Sequence, residues 1–149
     1  MINYKHTQIN PISSFLLPIS PIVFYLVMQY NGLSVFDQPI ILSIFLFFIF
    51  IISFFSRMTV LVNDEKISIN FLCFRCKKHF YFKDIVGVKI VKNYWYHGWG
   101  IRIIPKGVLF NVYGLDAIEL NLKTGKRIRI GTDEPDILFN IIKNAIKKV

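Results

Sequence analysis

Residues Gln38 to Ser56 read QPIILSIFLFFIFIISFFS, nineteen residues without a charge, closed by Asp37 on one side and Arg57 on the other. At ~1.5 Å per helical residue the run reaches about 28 Å, close to the hydrocarbon thickness of a bilayer. It is apolar all round rather than along one stripe, so a soluble fold would have to enclose it on every side. A chain of 149 residues has little material for such a shell once its remainder is folded. The stretch therefore reads as a membrane-spanning helix, at about 39–56.

Working back from it, Thr7 to Phe36 also carries no charge, and Ile12 to Tyr30 (ISSFLLPISPIVFYLVMQY) is apolar enough for a first span. Pro18 and Pro21 weaken that helix, yet membrane helices tolerate proline where other groups re-satisfy the freed carbonyls. A cleavable signal peptide would need small residues after the apolar core, and Met28, Gln29 and Tyr30 are not small. The connection Asn31 to Gln38 contains the turn pair Asn31-Gly32 and no Lys or Arg. Residues 1–57 thus read as a hairpin of two membrane helices, about 12–30 and 39–56. With Lys5 before the first and Arg57 after the second, the rule that basic residues stay inside sets both termini in the cytoplasm, in a multi-pass protein of the cell membrane. Tyr25 and Tyr30 fall toward the outer interface.

Working forward, the charge changes abruptly. Of 18 Lys and Arg, 17 follow Ser56, as do 8 of the 9 Asp and Glu, so the net charge of +9 belongs to residues 57–149. Short alternating runs replace the continuous apolar ones, predicting an antiparallel sheet with strands near 58–62, 66–73, 78–83, 85–91, 100–104, 108–113, 117–122 and 127–130. In the clearest hairpin Ile118, Leu120 and Leu122 face one way, Lys123-Thr124-Gly125 turns, and Ile128 and Ile130 return that face. Glu119, Asn121, Arg127 and Arg129 make its wet side. A closing helix is expected over 133–147, capped by Thr132, with Asp133, Glu134 and Pro135 in its first turn and Lys143, Lys147 and Lys148 near its end. Its apolar stripe, Ile137, Leu138, Ile141, Ile142, Ala145 and Val149, needs a sheet to cover.

Within Tyr96 to Ile142, Gly98-Trp99-Gly100-Ile101-Arg102, Asn111 to Leu120 with Gly114-Leu115-Asp116, and Gly131-Thr132-Asp133-Glu134-Pro135 resemble small bacterial membrane proteins with a pleckstrin-homology-like (PH-like) domain after two membrane helices. The resemblance implies a mainly-β domain over 58–149. Its expected form is a seven-stranded barrel or sandwich closed by one C-terminal helix, so one of the eight candidate strands would be a bent strand split in two. It implies no particular activity. The same residues also have plain structural roles: the glycines free the backbone at turns, and Trp95 and Trp99 read as core residues or membrane-interface anchors.

Candidate chemistry is sparse. Cys73-x-x-Cys76 followed by His79 is the one metal-like spacing, but a structural zinc site wants four ligands and no second pair exists, so no metal or cofactor is expected. No G-x-S-x-G, H-E-x-x-H or Walker loop is present, and the reading is non-enzymatic. Arg75, Lys77 and Lys78 stand among Phe71, Phe74, Phe80, Tyr81 and Phe82, and Lys123, Lys126, Arg127 and Arg129 form a second basic group, with Arg102 as a neighbour. These are candidate membrane or partner contacts, weighed against an ordinary solvated face. The first strand turn, Asn63-Asp64-Glu65-Lys66, is acidic, which argues against the inositol-phosphate pocket of eukaryotic PH domains. The expected function is docking of a protein or of anionic lipid head groups beside the bilayer. The alternative is an oligomerising or assembly subunit of a membrane complex, and nucleic acid is not expected.

Overall fold

The computed structural model describes residues 2–34, 37–71 and 77–147. Strand β1 (Ile2–Ile9) precedes helices α1 (Pro11–Tyr30) and α2 (Pro39–Phe54). There follow β2 (Arg57–Asn63), β3 (Lys66–Phe71), β4 (Lys77–Tyr81), β5 (Ile85–Lys92), β6 (Gly100–Ile104), β7 (Gly107–Asn111), β8 (Asp116–Leu122), β9 (Arg127–Gly131) and helix α3 (Pro135–Lys147). The strands form one sheet in the order β1-β2-β3-β4 and another in the order β5-β8-β9-β7-β6.

Both apolar runs are helical to within two residues of the expected bounds. Pro21 cannot donate to the Leu17 carbonyl, and the Ser20 hydroxyl donates to it instead at 3.2 Å. At the end of α1, Gly32 takes φ 67°, which suits glycine, and Leu33 N–H donates to Met28 O at 2.9 Å. The helices lie against each other where Phe24 and Phe45 stack with centroids 4.1 Å apart. By length and composition α1 could cross a membrane, and only 11% of its apolar window is buried; α2 is a shorter apolar helix. Phe15, Ile22 and Leu26 on α1, and Ile40, Phe47 and Phe48 on α2, are all exposed.

Strand β1 has no counterpart in the sequence reading. It pairs antiparallel with β2 from Ile2↔Asn63 to Ile9↔Arg57, so residues before and after the two helices build one sheet. Its inward positions are Tyr4, His6 and Gln8, polar enough to leave no apolar alternation for a reader to find. All three are nevertheless partnered. Gln8 Nε2 donates to Tyr113 O at 3.0 Å, His6 Nε2 lies 2.7 Å from Asp133 Oδ1, and Tyr4 Oη donates to Glu134 Oε2 at 3.1 Å. Burial, and then the Glu134 carboxylate, push the Tyr4 phenol above its ordinary range, which keeps it a donor.

The eight expected strands all exist, and none is a fragment of another. The described residues therefore hold nine strands in two sheets, in place of seven, and no strand pairing joins the sheets into a closed barrel. The pairing is not wholly antiparallel either, because β7 runs parallel to β9. The expected strand 78–83 ends at Tyr81, where a short 3-10 turn, Phe82–Asp84, carries the chain from one sheet to the other. Phe82 is 1% exposed at that crossing, in a core with Met58, Val60, Ile67 and Ile69 of the first sheet and Ile118, Leu120 and Ile130 of the second. Each such burial contributes about 1.5–3 kcal/mol. Helix α3 supplies Leu138 and Ile142 to this core, while Ile137 of the expected stripe is exposed. Thr132 Oγ1 accepts from Glu134 N–H at 3.1 Å, and the helix begins at Pro135, two residues later than expected, so Asp136 is the acid of its first turn.

Candidate functional site

The β-domain has two ends, fixed by where the helices join it. Asn10 N–H donates to Ser56 O at 2.8 Å, so the start of α1 and the residue before β2 meet. Asn10 is 4% exposed and also caps α1, its Oδ1 accepting from Ile12 N–H at 3.0 Å, while its Nδ2 donates to Val112 O at 3.0 Å. The loop from Val112 to Leu115 thus belongs to the helix-proximal end. So does Gly100, since an added Cβ there would lie 3.3 Å from the Phe55 ring. From this end β8 runs outward for seven residues, about 20–24 Å at the rise of a strand.

That distance separates the basic residues named from the sequence. Lys123 and Lys126 are exposed in the turn after β8, at the end remote from the helices. Lys77 and Lys78, at the start of β4, are exposed but adjacent in a strand, so they point to opposite faces of their sheet. Arg75 lies outside the described residues. Arg127 and Arg129 share one face of the second sheet, where the register aligns Lys89, Glu119, Arg129, Leu109 and Arg102 in a single row across five strands.

At the middle of that row the expected wet side is dry, because Glu119 is 0% exposed. Arg129 Nε donates to Glu119 Oε2 at 2.6 Å, Lys89 Nζ lies 3.1 Å from Oε1 and Arg127 Nε 4.0 Å from it. Burial pushes the Glu119 carboxyl up, but the hydrogen bond from Arg129 and the charges of Arg129 and Lys89 outweigh that and hold it below the ordinary carboxylate range. Two arginines of the proposed contact group are thereby turned partly to an internal acid. Alternation in the hairpin put Arg127 and Arg129 on the face of Glu119, but it could not reveal that Glu119 is buried or that Lys89 of β5 joins it through register.

The metal-like spacing is not assembled among the described residues. Cys73 and Cys76 lie outside them, and His79 Nδ1 is 2.9 Å from Ser68 Oγ across the β3/β4 pair. Among the described residues no group of three His, Cys, Asp or Glu is placed to hold a metal ion. The acidic turn after β2 is a backbone device: Asn63 Oδ1 accepts from Lys66 N–H at 2.8 Å.

A different group stands out at the helix-proximal end. Between β5 and β6 the segment NYWYHGW, Asn93 to Trp99, carries Tyr94, Trp95 and Tyr96 on the surface, and Trp95 is 82% exposed. Neither Trp belongs to the core cluster. Tyr94 and Tyr96 stack with centroids 5.1 Å apart, and Trp99 lies against Tyr113 at 6.4 Å. Asn93 N–H donates to Leu115 O at 2.6 Å, and Asn111 Nδ2 donates to Gly114 O at 3.1 Å, so the aromatic loop and the Val112–Leu115 loop are held as a pair. Between them is a recess of about 400 Å³, lined mainly by Tyr94, Trp95, Trp99, Asn111, Tyr113 and Leu115. Arg102 stands at its rim, its Nε donating to Trp99 O at 3.0 Å. A run of four aromatics in seven residues that breaks strand alternation was the sequence signal for an exposed platform. Comparison with known proteins finds no matching family model, curated protein or solved structure.

Proposed function

We propose that the chain is a non-enzymatic integral membrane protein in which two helices span the bilayer and hold a PH-like domain at its cytoplasmic face. The observation that carries this reading is the pairing of β1 with β2 around helices whose apolar side chains are largely exposed. Two paired strands must lie in one aqueous compartment, so the chain between them crosses a membrane an even number of times. Both apolar helices are then spans or neither is, and water is a poor solvent for either. At sixteen residues α2 is short, but Phe55, Ser56 and a snorkelling Arg57 extend it toward the interface. The PH-like assignment draws on two sheets with a C-terminal helix. This chain would be a divergent example, with an added N-terminal strand and a parallel pair in the second sheet.

The activity that fits is docking of anionic lipid beside the anchor. Arg57, Lys77 and Lys92 lie toward the helix-proximal end, where each basic residue near the surface contributes about 1 kcal/mol of attraction to an anionic leaflet. A second reading, an assembly subunit, is favoured by edge strand β6, on which Ile103 is 93% exposed beside a free row of backbone groups.

The test uses the full chain with Cys73→Ser and Cys76→Ser, carrying either Ser34→Cys or Asn63→Cys. In intact cells an impermeant maleimide should label position 34 alone, position 63 should react only after permeabilisation, and alkaline carbonate should leave the chain in the membrane. Release by carbonate, or labelling of both positions from one side, would overturn the anchoring.

A further inference from the structure

Among the described residues of the β-domain, five of the six exposed aromatics, Tyr94, Trp95, Tyr96, Trp99 and Tyr113, are gathered at the helix-proximal end, and Tyr81 stands at the other. Gln8 and Asn10, the last residues before α1, hold the Val112–Leu115 loop directly, and that loop holds the aromatic segment. Any lipid surface that surrounds α1 and α2 therefore begins at the level of Tyr94, Trp95, Tyr96, Trp99 and Tyr113. Tyr and Trp rings are at home at that level, with an apolar body and a hydrogen-bonding edge. Val86, Ile103 and Ile137 are also exposed, but a clustered aromatic surface of this kind marks a contact more than apolar residues exposed one at a time.

Resting on the anchoring proposed above, we infer that the recess between the two loops binds a phospholipid of the adjoining leaflet. Its aromatic wall meets the glycerol and first methylenes, and Arg102 at the rim meets the phosphate. The chemistry matches on both sides: the lining is predominantly aromatic and aliphatic, and beside two of its residues, Trp99 and Gly98, stands the Arg102 guanidinium, with N–H groups able to donate to phosphate oxygens. Two built-in features keep the recess open. Asn111, 2% exposed, braces its own loop by donating to Gly114 O and reaches the aromatic segment through Gly98 O at 3.5 Å, and Gly98 and Gly114 take φ 63° and 79°, conformations that a side chain would strain. The foot of α2 is close by, since a Cβ at Gly100, the residue after Trp99, would lie 3.3 Å from the Phe55 ring.

Trp95 and Trp99 are the only tryptophans of the chain, so intrinsic fluorescence reports on this recess alone. The full chain is reconstituted into vesicles of phosphatidylcholine and phosphatidylglycerol, brominated either near the glycerol or at the chain ends. Expected are strong quenching by the shallow bromines, weaker quenching by the deep ones, and little quenching by aqueous iodide. Trp95→Phe and Trp99→Phe should each leave a reporter with this same profile. Arg102→Gln should weaken the quenching by the shallow bromines while leaving the chain membrane-bound. Tryptophans open to iodide and untouched by bromine, in a chain that resists carbonate, would overturn the lipid recess and leave the anchor standing. A chain released by carbonate would overturn both.

Discussion

Asn10, buried, joins four parts of the molecule: it follows β1, caps α1, and binds both Ser56 and the Val112 carbonyl. Asn10→Ala removes the cap, about 1 kcal/mol, and leaves a buried carbonyl without its donor, which costs about 1–3 kcal/mol more. Thermal unfolding in detergent should show the loss, and Asn10→Asp, which keeps the cap but sets a buried carboxylate oxygen against the Val112 carbonyl, should not restore it. Glu119 offers the second residue-scale prediction. Because its carboxyl titrates lower in the folded chain than in the unfolded one, its contribution is fully present above the unfolded value, near pH ~4.3, and fades as pH falls through the folded value. Glu119→Gln should lower stability by about 1–3 kcal/mol at neutral pH, less than a fully enclosed pair would, because Lys89 is half exposed and rehydrates. The variant should also lose less stability than the parent on acidification below about pH 4.5, as read by melting temperature.

At the scale of elements, the pairing of β1 with β2 is the claim most open to direct attack. Thr7 and Thr59 are register partners with hydroxyl oxygens 2.9 Å apart, so Thr7→Cys with Thr59→Cys, in a chain with Cys73→Ser and Cys76→Ser, should form a disulfide under mild oxidation. After cleavage at a protease site inserted between Asn31 and Gln38, the two halves should separate on a gel only when reduced. Persistent separation without reductant would mean that the strands do not meet. Elements with strong patterns were legible in the sequence: two apolar runs became α1 and α2, and the alternation of Ile118, Leu120 and Leu122 with Ile128 and Ile130 gave the shared apolar face of the β8/β9 hairpin, in which Ile118 pairs with Ile130 and Leu120 with Ile128. What was illegible had no local signature. Strand β1 hides behind Tyr4, His6 and Gln8, whose partners lie about a hundred residues or more away. The parallel neighbour of β9 depends on how the loops after β7 cross, and the candidate site depends on which loops end beside the helices. Charge named the residues Lys123 and Lys126, but only topology reveals that they stand at the end remote from α1 and α2.

For the whole molecule, the helix pair can be regarded as a long insertion into a β-hairpin, because Asn10 and Ser56 are in backbone contact. Replacing residues 11–55 by a short Gly-Ser turn should give a water-soluble monomer with the same sheet order. Simply deleting residues 1–56 should instead bare the edge of β2 and give an aggregating one, as size-exclusion chromatography would distinguish. If that soluble variant floats with anionic vesicles, Lys123→Gln with Lys126→Gln should leave its binding unchanged, since the turn lies about 20 Å from the contacting end. A tenfold loss would place the lipid surface elsewhere.

The same contact between Asn10 and Ser56 bears on biosynthesis. In the proposed topology β1 leaves the ribosome before α1 and must wait, unpaired, in the cytosol while some forty-five residues are threaded into and back out of the bilayer. A nascent chain inserted with the wrong polarity, or with one crossing, strands β1 on the far side and leaves the emerging domain with an open seam. Correct folding of the domain would then report that translocation had gone right, and misinserted copies would present themselves to cytosolic proteases without any separate sensor.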